Sequence, residues 1–351
     1  MFKRINIEIE PITYLHIGSG EELNPLKYII KNNFIYLVNE TAAINSLANK
    51  YAQKFNQIME TADLVKIHMF IAENLDIENH EVWFDRYQVD DQFINYYKNK
   101  INKPENQNFV DEFIRTEINK SPYIPGSSLK GAIRTAILSY LMEQKQPKES
   151  IKRQRSQTLE VFLLNSLDRN KRRFEAKYDP FKYLRISDTA FENKNLNIKE
   201  VVNTKKNKIK KRPYSFQEFL NMDNNNKKKK NLTWYAEVLD TNKIDNLKSS
   251  MDIHEKFFNI LSINNIPKII NWFYKYELKK DEKFYKYGKK KEVYLKLLEM
   301  INSVDDNEFM VKMGKHSGKN YLSFKEFHYK TKTRNLIDNL PLGWLKIKMD
   351  I

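Results

Sequence analysis

The chain has 351 residues, no cysteine, and 61 lysines and arginines against 45 aspartates and glutamates, a formal net charge of +16. That length permits one large domain or two ordinary ones with a full hydrophobic core, and 41% hydrophobic residues with 13% aromatics exclude a disordered chain. The missing cysteines rule out disulfide scaffolds, thiolate zinc sites and cysteine catalysis together, and no apolar run approaches the ~18 residues of a membrane span.

The opening Met1-Phe2-Lys3-Arg4-Ile5 alternates apolar and polar residues and has no signal-peptide core, so a cytoplasmic protein without a membrane partner is expected. Ile5, Ile7 and Ile9 fall on one face of a strand over residues 2–12. Tyr14 to Gly20 reads YLHIGSG, where two glycines and a serine interrupt that strand for a turn or bulge. Phe34 to Val38 is a second short strand. From Thr41 the period becomes helical, with Ile44, Leu47, Tyr51, Phe55 and Ile58 three and four apart, and Leu64 to Leu75 continues in the same way. Glu78 to Asn119 is polar and aromatic, and is expected to be an irregular or helical insertion rather than core sheet.

Tyr123-Ile124-Pro125-Gly126 is an extended approach to a helix that opens at Ser127-Ser128 and runs to about Met142. Gln144 to Tyr178 is a charged, inserted stretch with helical character over Leu159 to Leu167. Tyr183 to Ile186 and Tyr235 to Leu239 are short strands. Two further helices carry Phe257, Ile260 and Leu261, and Val293, Tyr294, Leu297, Leu298 and Ile301, with Pro267 interrupting the helical material between them. Phe309 to Tyr321 holds a glycine-containing loop, and Gly343 to Met349 alternates as a closing strand. The expected plan is α+β. A core over 1–240 holds a helical insertion at about 41–118, and 241–351 adds a helical region, the loop and the closing strand.

The positive charge points to a polyanion, because cations that neutralise phosphates release condensed counterions. The plainer alternative is compositional, since AT-rich coding also enriches Lys, Asn and Ile. Lys205, Lys206, Lys208, Lys210, Lys211 and Arg212 form one run, and Lys227 to Lys230 form another. In a third stretch, residues 279–291, Lys280, Lys283, Lys286 and Lys289 interleave with Phe284, Tyr285 and Tyr287, a pattern that contacts either RNA or a protein neighbour. Each run taken alone also reads as a solvated face.

The most informative segment is Pro122 to Arg134, PYIPGSSLKGAIR. Pro125 fixes φ, Gly126 allows a sharp entry, and Ser127 or Ser128 can cap the helix that follows. A helix N-terminus with Lys130 and Arg134 four residues apart near it suits a phosphodiester held without base reading. Equally, it is a well-capped helix whose two cations point to solvent. It is not a Walker A loop, because Ala132 and Ile133 stand where Lys and Ser/Thr are required, which disfavours nucleotide hydrolysis.

IPGSSLKGAIR resembles the hallmark of the RAMP superfamily of CRISPR-associated RNA-binding proteins. Ile12 to Glu22, ITYLHIGSGEE, resembles the family's opening, Tyr183 to Thr189, YLRISDT, its later strand, and Met313 to Lys319, MGKHSGK, its late glycine-rich loop. The four elements occur in the family's order and span most of the chain. The resemblance implies a ferredoxin-like (RRM-like) core with large, mainly helical insertions. It implies a non-catalytic RNA-binding subunit of a type III-A (Csm) CRISPR effector complex, capping the filament at the 3′ portion of the CRISPR RNA and supporting maturation of that end. The partners implied are CRISPR RNA, the repeated backbone RAMP subunit and other Csm subunits, target RNA when bound, and nucleases supplied from elsewhere, with no cofactor or metal. The RNA-binding residues expected on this basis are His16, Gly18, Ser19, Gly20, Gly126, Ser127, Ser128, Lys130, Gly131, Arg134, Arg185, Gly314, Lys315, His316, Ser317 and Gly318.

Backbone subunits of such filaments place a catalytic Asp shortly after HIGSG, whereas here Glu21 and Glu22 are followed by no Asp until Asp63. His16 and His316 each pose a choice between a general base and a ring that packs against the glycine turn or bonds a phosphate, and packing is favoured. Arg185 and Asp188, three apart on one presumed strand, point to opposite faces; Arg185 is either an RNA contact or an edge-strand charge, and Asp188 orders a turn. The alternative function is a metal-independent endoribonuclease of the same superfamily that processes precursor CRISPR RNA through His16 or His316.

Overall fold

The computed structural model describes residues 2–101, 109–145, 156–164, 167–168, 173–174, 179–205, 208–209, 215–220, 232–239, 255–285, 288–317, 321 and 333–350. The alternating isoleucines form β1 (Phe2–Pro11), and the glycine turn that follows opens β2 (Gly18–Leu23). A hairpin of β3 (Tyr28–Lys31) and β4 (Phe34–Val38) leads to α1 (Glu40–Glu60), capped by the Asn39 side chain, and α2 (Leu64–Asn74), capped by Asp63. Next come β5 (Trp83–Gln88), α3 (Asp91–Lys100), β6 (Val110–Phe113), β7 (Tyr123–Ile124), α4 (Gly126–Lys145) and α5 (Ser156–Leu164). Short strands β8 (Leu167–Asp168), β9 (Arg173–Phe174), β10 (Leu184–Ile186) and β11 (Thr189–Ala190) precede β12 (Leu196–Glu200), β13 (Val202–Lys205), β14 (Lys208–Ile209), β15 (Phe216–Leu220) and β16 (Leu232–Leu239). The chain ends with α6 (Glu255–Ile260), α7 (Ile266–Phe284), α8 (Lys289–Asn302), β17 (Glu308–Lys312), β18 (Arg334–Ile337), β19 (Leu340–Pro341) and β20 (Trp344–Asp350). No helix among the described residues is long and apolar enough to cross a membrane.

The main sheet has the order β10-β16-β1-β20-β17, with every neighbouring pair antiparallel. Its centre is β1, whose Ile5, Ile7 and Ile9 are buried, with Ile9 opposite Ile347 of β20. Helices α4 and α7 pack against each other, α4 also meeting β10 and α7 also meeting β17. β1 comes from the start of the chain and β17 and β20 from beyond residue 240, and their buried residues share one apolar cluster. A second sheet, β12-β15-β6-β2, lies beside the first, and β3-β4-β5 with α1 and α2 enclose a smaller cluster around Ile29, Tyr36, Leu47, Phe55 and Phe70.

Three expectations change. The insertion read as helical over 41–118 begins as a β-hairpin at Tyr28 and contains β5, and its return strand β6 pairs with β2 and β15, so 78–119 does contribute sheet. Short polar strands such as VDEF carry too few apolar residues to announce a period of two. The helix α7 was not anticipated; Pro267 sits in its first turn, where a missing N–H is harmless, and starts it rather than interrupting it. The basic-aromatic stretch 279–291 is the corner between α7 and α8, where Tyr285 is buried, Lys280 pairs with Glu277 and Lys291 with Glu282. Its residues 286–287, and the lysine runs at 210–212 and 227–230, lie outside the described residues.

A buried ion cluster ties the insertion to the second sheet. The Glu218 carboxylate on β15 accepts two hydrogen bonds from Arg115, at 2.6 and 2.7 Å, one from the Phe113 N–H at 2.7 Å, and one from the Tyr87 hydroxyl on β5. Burial works against the Arg115 charge, but Glu218 outweighs it and raises the guanidinium pKa. Removing one partner of such a pair leaves an uncompensated buried charge, worth about 3–5 kcal/mol. Arg115→Met is therefore expected to lower the urea-unfolding free energy by that amount, and Arg115→Met with Glu218→Met to recover most of it; a single-variant loss below about 1 kcal/mol would show that the cluster does not hold the insertion.

Candidate functional site

Three distant segments are laced together by backbone hydrogen bonds. The His16 carbonyl accepts from the Lys315 N–H at 3.0 Å, the Gly343 carbonyl accepts from the Met313 N–H at 2.9 Å, and the Tyr14 carbonyl accepts from the Gly343 N–H at 2.9 Å. Gly314 adopts φ +87°, and a Cβ there would lie 2.4 Å from the His16 carbonyl oxygen, so the glycine is what lets the 313–317 loop close on the residues before β2. The start of α4 is docked just as tightly: a Cβ on Gly126 would fall 2.1 Å from the Ile186 carbonyl oxygen.

These contacts surround a cavity of about 550 Å³. Gly18 and Gly20 of β2 form one wall, Ser128, Gly131 and Thr135 of α4 a second, and Gly314, Lys315 and Ser317 of the late loop a third. Lys312, Tyr274 and Tyr321 complete it. Seven of the sequence-predicted residues therefore meet on one surface: Gly18, Gly20, Ser128, Gly131, Gly314, Lys315 and Ser317. Gly318 lies outside the described residues.

The remaining predicted residues sit elsewhere. Ser19 is exposed on β2, its hydroxyl accepting from the Glu21 N–H, and Ser127 is exposed on α4. The N–H of Gly126 donates to the Asp188 carboxylate at 2.8 Å, so Asp188, rather than Ser127 or Ser128, satisfies the helix start. A period of 3.6 sets Lys130 and Arg134 about 110° round α4 from the stripe of Ser128, Gly131 and Thr135, on a neighbouring face. Arg134 is committed there to Glu160 and Asp179, both at 2.8 Å, over the Phe181 ring. Lys130 is half-buried beside them; burial first, then the Arg134 and Arg185 charges, lower its pKa against the opposing pull of the Asp179 carboxylate. Arg185, exposed on β10, pairs with Glu237 across the strand at 3.2 Å. Arg134 thus links α4 to α5 through Glu160, with Lys130 beside it on the same face.

His16 and His316 lie behind the cavity with their rings 6.3 Å apart. His16 is 2% exposed; its Nδ1–H donates to the Glu218 carbonyl at 2.7 Å, and its Nε2, beside Gly18, is buried without a partner among the described residues. His316 bonds Gln217 through Nε2 at 2.6 Å and Asn335 through Nδ1 at 3.0 Å. Burial lowers both pKa values, that of His316 to about 3 with help from His16, Lys315 and Lys312, so both rings are neutral near pH 7. Lys315 reaches Asp111 of β6 at 2.6 Å, at the lip of a second cavity of about 510 Å³ that also carries Glu21, Glu22 and Glu112. Among the described residues no acidic and histidine side chains form a metal-binding group.

Sequence reasoning missed Thr135 and Lys312. Thr135 was reachable, because it continues the stripe of Ser128 and Gly131 at helical spacing. Lys312 had no signal, since it ends the apolar run of Glu308–Lys312 like any strand-terminal lysine.

The RAMP superfamily profile matches residues 8–319, and the chain belongs to that superfamily. It is 29% identical over 140 residues to the CRISPR system Cms protein Csm5 of Streptococcus thermophilus, covering 39% of each chain. It is 28% identical over 190 residues to the protein of the same name from Methanocaldococcus jannaschii, covering 53% of this chain and 42% of that one. The chain thus aligns with about two-fifths of the length of these curated relatives. Among solved structures, a chain of a Csm–crRNA–target RNA ternary complex of a type III-A CRISPR-Cas system shares the fold at TM-score 0.68 and 18% identity, with both chains covered in full. The Csm5 crystal structure from T. onnurineus does so at TM-score 0.65 and 19% identity, covering 96% of this chain and 99% of that one.

A glycine inside a helix weakens it by roughly 0.5–1 kcal/mol relative to alanine. A Cβ on Gly131 would meet nothing within 4 Å. Gly131→Ala is therefore expected to raise the Tm while placing a methyl in the cavity; a lower Tm would show that packing requires the glycine. Acid should weaken the fold. Burial holds His68 at about 4 and His316 at about 3, against about 6.5 unfolded, so the unfolded chain binds more protons below that value. Their contribution is complete above pH 6.5 and falls by on the order of 1 kcal/mol per pH unit per histidine as the pH drops towards the folded values. Urea unfolding at pH 7 and pH 5 checks this, and His68→Gln should flatten the difference.

Proposed function

We propose that this RAMP superfamily member is a non-catalytic RNA-binding subunit of a type III-A CRISPR effector complex, capping the filament at the 3′ portion of the CRISPR RNA and supporting maturation of that end. One observation carries the reading: the glycine turn after β1, the α4 face and the late glycine loop converge on a single cavity of about 550 Å³. Its walls are glycines and small hydroxyl side chains, which admit a sugar–phosphate chain at close range and hold it without reading bases. The connectivity β1-α4-β10-β16-α7-β20, with β17 as an added edge, supports a ferredoxin-like core. The Csm5 relatives support the place in a Csm complex. The likeness to a chain from a Csm–crRNA–target RNA assembly supports CRISPR RNA, target RNA and other Csm subunits, the repeated backbone subunit among them, as partners.

The geometry favours holding RNA over cutting it. A metal-independent ribonuclease needs a base that reaches the 2′-hydroxyl, and neither candidate ring presents an exposed nitrogen. His316 has both nitrogens in hydrogen bonds, and Nε2 of His16 is buried behind Gly18 at the wall of the second cavity. Lys315 and Asp111 neutralise one another at the boundary between the two cavities.

Purified by a tag from a host carrying the complete locus, the chain is expected to bring down several Csm subunits with a ladder of short RNAs. Recovery alone, without RNA, would refute the reading. Incubated with a repeat-containing transcript in EDTA, it should leave the transcript intact. Site-specific cleavage lost in His16→Ala would instead establish the endoribonuclease alternative.

A further inference from the structure

Lys312 is a buried cation that has no counterion of its own among the described residues. It closes β17, where all five residues are buried, and it is 6% exposed. Among the described residues no carboxylate lies within ion-pair distance of its ammonium, which rests 4.4 Å above the centre of the Tyr321 ring. Asp281 of α7 is the acidic group whose field reaches it, but that carboxylate is already engaged: Oδ1 receives Arg334 at 2.7 Å and Oδ2 the Tyr321 hydroxyl at 2.9 Å. Arg334 adds a positive field of its own. Burial, acting first, and Arg334 lower the lysine to about 8. A charge held in this way is expensive unless something pairs with it.

The cavity supplies the missing partner's place. Lys312 lines it together with Ser128, Gly131 and Ser317, whose small side chains leave room for an incoming chain. Lys315, the other cation on the cavity wall, is compensated by Asp111, so the unbalanced charge is that of Lys312.

We propose that Lys312 is the anchor for a phosphodiester group in this cavity, its ammonium donating to a non-bridging phosphate oxygen of the bound RNA. The inference rests on the reading of the cavity as an RNA seat and adds the residue that supplies the charge. A cation–π contact with Tyr321 keeps the ammonium in place in the free chain, and the phosphate completes its hydrogen bonds.

The test uses the full chain, an oligouridylate as the RNA probe, inorganic pyrophosphate as a second probe, and Lys312→Met. Methionine keeps the length and apolar stem but removes the buried charge, so the Tm should stay level or rise. Affinity for oligouridylate should fall roughly ten- to a hundred-fold, the loss expected of a charge-assisted hydrogen bond. The slope of log affinity against log salt should become shallower by about 0.7, one single-strand phosphate contact. Stabilisation of the wild-type chain by pyrophosphate should disappear in the variant. Unchanged affinity and slope would overturn the assignment. So would a lower Tm in both Lys312→Met and Lys312→Gln with unaltered binding per folded molecule, which would make the lysine structural. If the wild-type chain responds to pyrophosphate through Lys312 but ignores oligouridylate, the anion seat stands and the RNA reading fails; if it responds to neither, both fail. Loss of a Csm neighbour from Lys312→Met, with RNA binding intact, would assign the seat to an acidic protein segment and overturn the phosphate proposal.

Discussion

Glu218 is the residue on which the rest of the arrangement depends. It is 0% exposed, and its two halves serve different parts of the molecule. Its carbonyl fixes the tautomer and tilt of His16, over which the glycine turn of β2 folds. Its carboxylate collects Tyr87 from the insertion, the Phe113 N–H from β6 and the Arg115 guanidinium. A fully buried carboxylate is tolerable only with its oxygens hydrogen-bonded and its charge paired, and satisfying it requires three segments to arrive together. The same residue thus makes the position of the insertion and the position of the cavity wall parts of one constraint.

Local patterns were legible in the sequence where they were strong and continuous. The isoleucine alternation of β1, the periodic apolar positions of α1 and α2, and the helix after Gly126 all appear where the residues place them. What could not be read were relations between distant residues. Asp188 as the acceptor at the start of α4 is 62 residues away in sequence. The carboxylates that bind Arg134 are 26 and 45 residues away, so a lysine and an arginine four apart looked like a free pair when the arginine is already committed to them. The α7–α8 corner stayed open in the sequence for a related reason: lysines among aromatics suit both a nucleic-acid face and an amphipathic helix whose rings are inside, and only the packing partner separates the two.

The net charge of +16 acts in two ways of very different reach. Many described cations are compensated locally, as in Arg115 with Glu218, Arg334 with Asp281 and Lys346 with Glu308, and these contribute geometry rather than field. The uncompensated excess raises the local concentration of a polyanion and speeds its arrival, with a strong dependence on salt. Holding one phosphate in register requires something else, a charge at a fixed point with little water around it. Few residues can do this, and they need not belong to the densest lysine runs.

Glycine usage bears on the same distinction. The chain has only 8 glycines in 351 residues, well below the roughly 7% typical of proteins. Four of them, Gly18, Gly20, Gly131 and Gly314, line the cavity, while Gly126 and Gly343 allow its walls to meet. Close backbone approach explains Gly126, Gly314 and Gly343, where a Cβ would collide with a carbonyl oxygen. It does not explain Gly20 or Gly131, where a Cβ would meet nothing within 4 Å. At Gly131 folding therefore gains nothing from the glycine and a side chain would project into the cavity, whereas Gly20 holds a φ of +91° that favours glycine whatever the space around it. Gly131 is thus the position in the α4 wall where a missing side chain serves the open space rather than the packing of the described residues.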